Sequence, residues 1–293
     1  MVDYPDVRRL WWLSEAVHNL SYFAPEVKAA TDALGCKGIW MGYFGLRAAP
    51  LGVVTPEVVT ATFISFSPAM VRRAVPDVWA VATPEQFLAL RLQVIDRIYR
   101  RIWGDDVADQ PVFVEAAALA GKLRTDVETI GRPLAAANLG LPLSGKAHLD
   151  LWQSLTIARE HRGDGHIALL ASNEINSIQA LILACGYGKY QRSVMQPSRK
   201  WSDTEWETGA GLLVERGLLH PDESLTELGR DFRAGIETET DRLAAGPYRS
   251  LGTDGTRRLT ELLVPMARKA IAEPDYPVMP AVGMPDPFGD QSF

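Results

Sequence analysis

Val7, Leu10, Leu13, Ala16 and Val17 recur at helical spacing, which predicts a first helix reaching about His18. Pro25 suits the first turn of a second helix through Val27, Ala30 and Leu34, closed by Gly35. A glycine-marked stretch, Gly38 to Gly45, leads into Leu46 to Gly52. Thr55-Pro56-Glu57 reads as a helix start with Val58 to Phe66 as its buried continuation. Pro68 opens another helix through Val75, and Pro84 a longer one through Ile102. Gly104 to Pro111 is a turn-rich joint, and a long helix is expected from Val112 to Ile130.

The second half repeats this rhythm. Leu149 to Glu160 is predicted helical, with Gly163 and Gly165 breaking it, and Asn173 to Leu183 reads as a buried helix ended by Gly186-Tyr187-Gly188. The succession of helix, turn and apolar helix near 42–90 and again near 159–216 suggests a pseudo-repeat. Ser202 with Glu205 three positions later is a capping box for a helix that ends near Gly217. Two short strands, Leu218-Leu219 and Leu225-Thr226, flank a turn at His220 to Ser224, and a long helix follows from Leu228 to Leu243. Helix, small hairpin, helix is a winged-helix pattern. The expected architecture is mainly α, with tandem helical lobes, winged-helix elements and small β-hairpins. An N-terminal lobe would span 1–110 and a C-terminal lobe 111–272, the latter including the winged helix at 201–243. A proline-rich tail would span 273–293.

Composition narrows the class. The 293 residues carry 36 acidic and 30 basic side chains, a formal charge of -6, with 47% hydrophobic residues. That describes an ordinary soluble, cytoplasmic globular protein, and its acidity withdraws the simplest electrostatic case for nucleic acid. Cys36 and Cys185 sit in apolar sequence, so two free buried thiols are expected. No uninterrupted apolar run approaches the roughly 20 residues that span a bilayer.

Candidate chemistry concentrates in Arg159-Glu160-His161-Arg162-Gly163-Asp164-Gly165-His166, directly after an apolar helical run. Charges beside core-like sequence need partners, so this knot is either an ion-pair hub or the polar floor of a ligand site. With two glycines between them, His161 and His166 can converge, and Asp164 can fix an imidazole's orientation. Such pieces suit general acid/base catalysis and equally a metal site with His18 or His148 as a third ligand, although no strong metal motif is present. His18, Tyr22 and Glu26 recur at intervals of four and would line one wall of a cleft. Arg47 and Arg132, each within apolar sequence, would hold a ligand's acid group or pair with an internal one. Nothing in the sequence specifies a cofactor, haem and zinc included. No Rossmann, P-loop or nucleophile-elbow motif occurs.

Five stretches carry a family resemblance: His18 to Glu26, Tyr43 to Gly52, Gly131 to Asn138, Arg159 to His166, and Glu239 to Ala244. In these the chain resembles actinobacterial helix-turn-helix, winged-helix proteins. The resemblance spans nearly the whole chain and implies a tandem helical and winged-helix architecture, with no activity to carry over. The winged segment itself is acidic. Ser202 to Arg216 holds Asp203, Glu205, Glu207 and Glu215 against Arg216, and Gly217 to Arg230 holds Asp222, Glu223 and Glu227 against Arg230. Both would meet phosphates with repulsion, and only Lys189, Arg192, Arg199 and Lys200 just upstream favour DNA. The leading expectation is a small-molecule-binding protein with a His/Arg/Asp-lined pocket, with catalysis open and DNA reading disfavoured. The alternative is a ligand-responsive helix-turn-helix regulator. Long helices flanking the wing suit a homodimer.

Overall fold

The computed structural model describes residues 4–125 and 127–276. The apolar stripe of the N-terminus becomes helix α1 (Tyr4–His18), which resumes after Asn19 as the single turn α2 (Leu20–Phe23). There follow α3 (Pro25–Leu34), α4 (Gly38–Ala48), α5 (Pro56–Thr62), α6 (Pro68–Arg72), α7 (Asp77–Val81) and α8 (Pro84–Trp103). The middle of the chain forms α9 (Pro111–Gly121), α10 (Pro133–Leu139) and α11 (Ala147–Ser172). The last part forms α12 (Ser177–Gly186), α13 (Arg192–Ser198), α14 (Asp203–Glu215), α15 (Glu227–Ala244) and α16 (Gly252–Ile271).

Local chemistry accounts for many of the starts. Pro occupies the first turn of α3, α5, α6, α8, α9 and α10, where its missing N–H costs nothing. Reciprocal capping boxes, Thr83 with Gln86, Asn176 with Gln179 and Ser202 with Glu205, satisfy the free donors of α8, α12 and α14. Gly35 closes α3 in the left-handed conformation with φ 104°.

The glycine-marked stretch at 38–45 is itself a helix, and its glycines are packing residues. A Cβ on Gly42 would stand 2.8 Å from Thr31, and one on Gly45 would stand 2.6 Å from the Phe87 ring. Their absence lets α4 lie directly against α3 and α8.

Two hydrophobic clusters result. The larger runs from Val7 through the first half of α11 and returns with Ala244 to Tyr276 in the C-terminal helices. The smaller gathers Leu170 to Ile236, mostly from α12, α14 and α15, around Trp206. Within it, a Cβ on Gly209 would come within 3.1 Å of Ile178 and Ile182, so α12 and α14 cross closely there. Helix α11 runs from the larger cluster into the smaller. It is buried continuously from Leu151 to Ala158, which suits a central core helix.

Several sequence expectations are corrected. Helix α11 is not broken at Gly163 and Gly165 but continues to Ser172. The helix expected over 112–130 ends at Gly121 and tightens into a 3-10 turn over Lys122–Arg124. Helix α5 stops at Thr62 and α6 at Arg72, short of Phe66 and Val75. Among the described residues there is no sheet; the expected hairpin reduces to an isolated antiparallel bridge between Leu219 and Leu225. Its turn is closed by His220 N–H donating to the Ser224 carbonyl at 2.8 Å. Cys36 and Cys185 are both free thiols, but only Cys36 is buried and Cys185 is half-buried. The expected tail lies outside the described residues apart from its start.

Among the described residues no single helix is long and apolar enough to cross a membrane. The pair α11 and α12 passes together by composition but is bent by 99°.

Candidate functional site

A cavity of about 270 Å³ lies between the two clusters. Helix α1 offers Trp11, Glu15 and Asn19, each one turn from the next, and α4 offers Trp40, Tyr43 and Arg47. Helix α11 contributes Arg159, Arg162, Gly163 and His166, which share one face because 3.6 residues make a turn. The smaller cluster closes the far side with Ala184 of α12, Arg199 after α13, and Arg233 and Glu237 of α15.

The anionic anchor is Glu160, 1% exposed. Arg47 grips it from both sides of its fork, Nε to Oε1 at 3.0 Å and Nη2 to Oε2 at 2.8 Å, and Arg159 Nη1 reaches Oε1 at 2.9 Å. Burial opposes ionisation of Glu160, but Arg47 and Arg159 outweigh it and hold its pKa down at about 2. Glu15 faces Arg159 Nε at 2.7 Å and accepts from Trp11 Nε1 and Asn19 Nδ2. On the opposite rim Arg162 donates to Glu237 and Asp241, both at 3.0 Å, with its guanidinium 3.9 Å over the Trp11 ring. Arg199 lies over both Trp40 and Phe66 at 4.7 Å, and burial lowers its pKa.

His166 is the cavity's imidazole. Its Nδ1 lies 2.9 Å from Thr240 Oγ1, and that hydroxyl donates its own proton to the Ile236 carbonyl at 2.7 Å. Thr240 therefore accepts, His166 carries its proton on Nδ1, and Nε2 is left with a lone pair at the cavity. Burial, opposed in part by Glu237, lowers the His166 pKa to about 4. A base that weak transfers protons poorly at neutral pH; a neutral imidazole with a fixed tautomer instead accepts hydrogen bonds. The Tyr22 hydroxyl, on the same cavity, is buried without a hydrogen-bond partner among the described residues.

The sequence-predicted residues thus divide. Tyr22, Arg47, Arg159, Glu160, Arg162 and His166 line one cavity. His161 and Asp164 do not. Five residues of helix turn His161 about 140° away from His166, so the two imidazoles diverge. Burial, with Arg132 nearby, lowers the His161 pKa to about 3, opposed in part by the Glu128 backbone carbonyl. Asp164 orients no imidazole. Its Oδ2 accepts the Ala135 N–H at 2.9 Å, so it caps the start of α10 from a different helix, and burial raises its pKa to about 7.

The remaining candidates serve the frame. His18 stacks on Trp152 at 5.5 Å and 6°, behind Tyr22, and Trp152 in turn carries Arg91 at 4.9 Å. Arg132 donates to the backbone carbonyls of His161 and Leu243. Gly165 makes room for it, since a Cβ there would stand 2.5 Å from Arg132 Nη1. His148 Nε2 pairs with Asp96 at 2.8 Å, and Glu26 pairs with Arg101 at the surface. Among the described residues, no three His, Cys, Asp or Glu side chains gather to hold a metal.

Sequence reasoning missed the far wall. Lys189 and Arg199 stood out only as a basic patch for DNA, and the fold turns both onto the cavity. Arg192 instead pairs with Glu223 over the Trp206 ring. The ladder Trp11, Glu15, Asn19 was a readable signal, polar positions at helical spacing beside an apolar stripe. Arg233 and Glu237 had no local signal.

This arrangement of a central helix, a cavity and a helical C-terminal cluster extends over the region matched by a family model described as helix-turn-helix, residues 7–277. The chain belongs to that helix-turn-helix family. No curated protein and no solved structure matches the chain. In this helix-turn-helix protein the α12, α13 and α14 succession lies in the smaller cluster, and the cavity opens on its inner side.

Proposed function

We propose that this helix-turn-helix protein binds a small molecule in the cavity between its two clusters. The observation that carries the reading is the convergence of Tyr22, Arg47, Arg159, Glu160, Arg162 and His166, with Arg199, Arg233 and Glu237, on one space that no described side chain fills. Charged groups at such a seam cost desolvation even when paired, and a ligand-binding role explains why they line an open space. The low basicity of His166 favours binding over acid/base catalysis.

In this reading the segment from α12 to α15 is a winged helix-turn-helix with its hairpin reduced to the Leu219–Leu225 bridge. Its outer face does not favour nucleic acid. Asp203, Glu205, Glu207 and Glu215 are exposed on α14, and Arg216 is spent on the carbonyls of Asn173 and Glu174. The family match nonetheless supports a second reading, a ligand-responsive regulator that uses these helices on DNA.

The test is native mass spectrometry of freshly purified protein, alongside the cavity-filling variant Gly163→Leu. A retained small molecule on the wild-type chain, lost on Gly163→Leu with melting unchanged, is expected. No retained mass, and no thermal shift across a small-molecule library, sinks the reading. For the second reading, salt-dependent retardation of upstream DNA is the measurement, and its absence at low salt removes it.

A further inference from the structure

The ion pairs around the cavity answer one another. Arg47 and Arg159 hold Glu160, and Arg159 also meets Glu15. Arg162 donates to Glu237 and Asp241, and Arg233 pairs with Glu237 at 3.3 Å. Arg199 is engaged, over Trp40 and Phe66, and Lys189 stands in water, so neither is a vacant charge. What the cavity lacks is therefore to be sought in its uncharged groups.

Two of these present a polar atom with no partner among the described residues. Tyr22 lines the cavity and is 2% exposed, and its hydroxyl is buried without a hydrogen bond. Burial raises its pKa, so it stays a neutral phenol with a proton to donate. A hydroxyl taken out of water with no acceptor weakens the fold, and phenylalanine would pack there without that loss. His166 Nε2, its tautomer set through Thr240, is an acceptor only. The walls specify shape. Trp40, Tyr43 and Phe66 meet one another at 5.3 to 5.6 Å, and Trp11 and Tyr190 line the same space. Flat rings fit beside such surfaces, and about 270 Å³ is the small end for ligand pockets, enough for one or two rings. Part of the boundary is open to solvent, which gives a ring its way in.

We propose that the ligand is an uncharged planar molecule of one or two rings, with a carbonyl-type acceptor for the Tyr22 hydroxyl and an O–H or N–H donor for His166 Nε2. This rests on the ligand-binding reading above and narrows it to a chemical class. A carboxylate would have to draw a guanidinium from an acid that already holds it. An aliphatic molecule lacks the stacking surface, and a ring without an acceptor leaves Tyr22 unmet.

Calorimetry and tryptophan fluorescence on the full chain at neutral pH test it, with the isomeric acetylnaphthols, acetylnaphthalene, naphthol and hydroxynaphthoate as probes. The best acetylnaphthol should bind about tenfold tighter than acetylnaphthalene or naphthol, and tighter than hydroxynaphthoate. Tyr22→Phe should erase the advantage of the acetyl group and leave naphthol binding intact. His166→Phe should erase the advantage of the hydroxyl, and His166→Gln, which retains an acceptor, should restore part of it. Without ligand, Tyr22→Phe should melt at or above the wild-type temperature, because the hydroxyl it removes holds no partner among the described residues. Tighter binding of hydroxynaphthoate, no binding by any probe, an acetyl advantage that survives Tyr22→Phe, or a lower melting temperature of that variant overturns the proposal. If native mass spectrometry shows a retained molecule that Gly163→Leu expels and no acetylnaphthol displaces, the chemical class falls and the cavity reading stands. If no molecule is retained and no library compound shifts the melt, the cavity reading falls with it.

Discussion

Thr240 fixes the tautomer of His166. Because its hydroxyl gives its single proton to the Ile236 carbonyl, the 2.9 Å contact to His166 Nδ1 has the imidazole as donor. Nitrogen-15 NMR should therefore find the Nδ1–H form at neutral pH. Thr240→Val should mix the tautomers and lower stability by about 1 kcal/mol. An unchanged imidazole spectrum in Thr240→Val would contradict the assignment.

Gly163 and Gly165 should respond oppositely to alanine. At Gly163 an added methyl meets only Glu160, at 3.8 Å, so Gly163→Ala should gain up to about 1 kcal/mol from helix propensity. At Gly165 it displaces Arg132 from the carbonyls of His161 and Leu243. Two lost hydrogen bonds, at about 0.5–1.5 kcal/mol each, outweigh the propensity gain. Urea denaturation should show Gly163→Ala stabilised and Gly165→Ala destabilised by about 1 kcal/mol.

Asp164 is predicted to act as a cap rather than as an acid. Asp164→Ala should cost about 1–2 kcal/mol by freeing the Ala135 N–H. Asp164→Asn keeps an acceptor there and removes a carboxyl that burial already disfavours as an anion, so its stability at pH 7 should equal or exceed wild type. Ligand affinity, measured calorimetrically, should stay unchanged in Asp164→Asn.

Acid should destabilise the fold before most carboxylates titrate. His18, His148, His161 and His166 all have folded pKa values lowered by burial, the last two to about 3 and 4. The unfolded chain then takes up protons near 6.5 that the folded chain refuses, so their contribution is whole above that pH and lost as pH falls. Asp164, raised to about 7, runs the other way: its contribution is lost as pH rises from 3.8 toward 7. Four imidazoles outweigh one carboxyl. Tm should fall on the order of 5 °C between pH 7 and pH 5. His18→Phe, which replaces a buried ring with no hydrogen-bond partner among the described residues, should flatten that slope, and an unchanged slope would refute the assignment.

Much of the helical frame was legible because its signals are local. Ser202 and Glu205 meet within one turn, and Pro25, Pro84 and Gly35 act on their own backbone. Gly163 and Gly165 misled because glycine usually breaks a helix, whereas here one makes room for Arg132, from 33 positions earlier in the chain, and the other borders a void. Neither reason is visible in the neighbouring residues. Half of the candidate site was likewise readable, since Arg159, Arg162 and His166 follow helical spacing on one face. His161 and Asp164 failed by that same spacing once the helix proved continuous. Lys189 and Arg199 reach the cavity only through packing of the smaller cluster, which no short window of sequence encodes.

The cavity's walls belong to both packed units, with α1 and α4 on one side and α12 and α15 on the other. A molecule held there acts as mortar between two masonry blocks. Its free energy of association is shared by their junction, so occupancy would raise the cost of opening either cluster against the other.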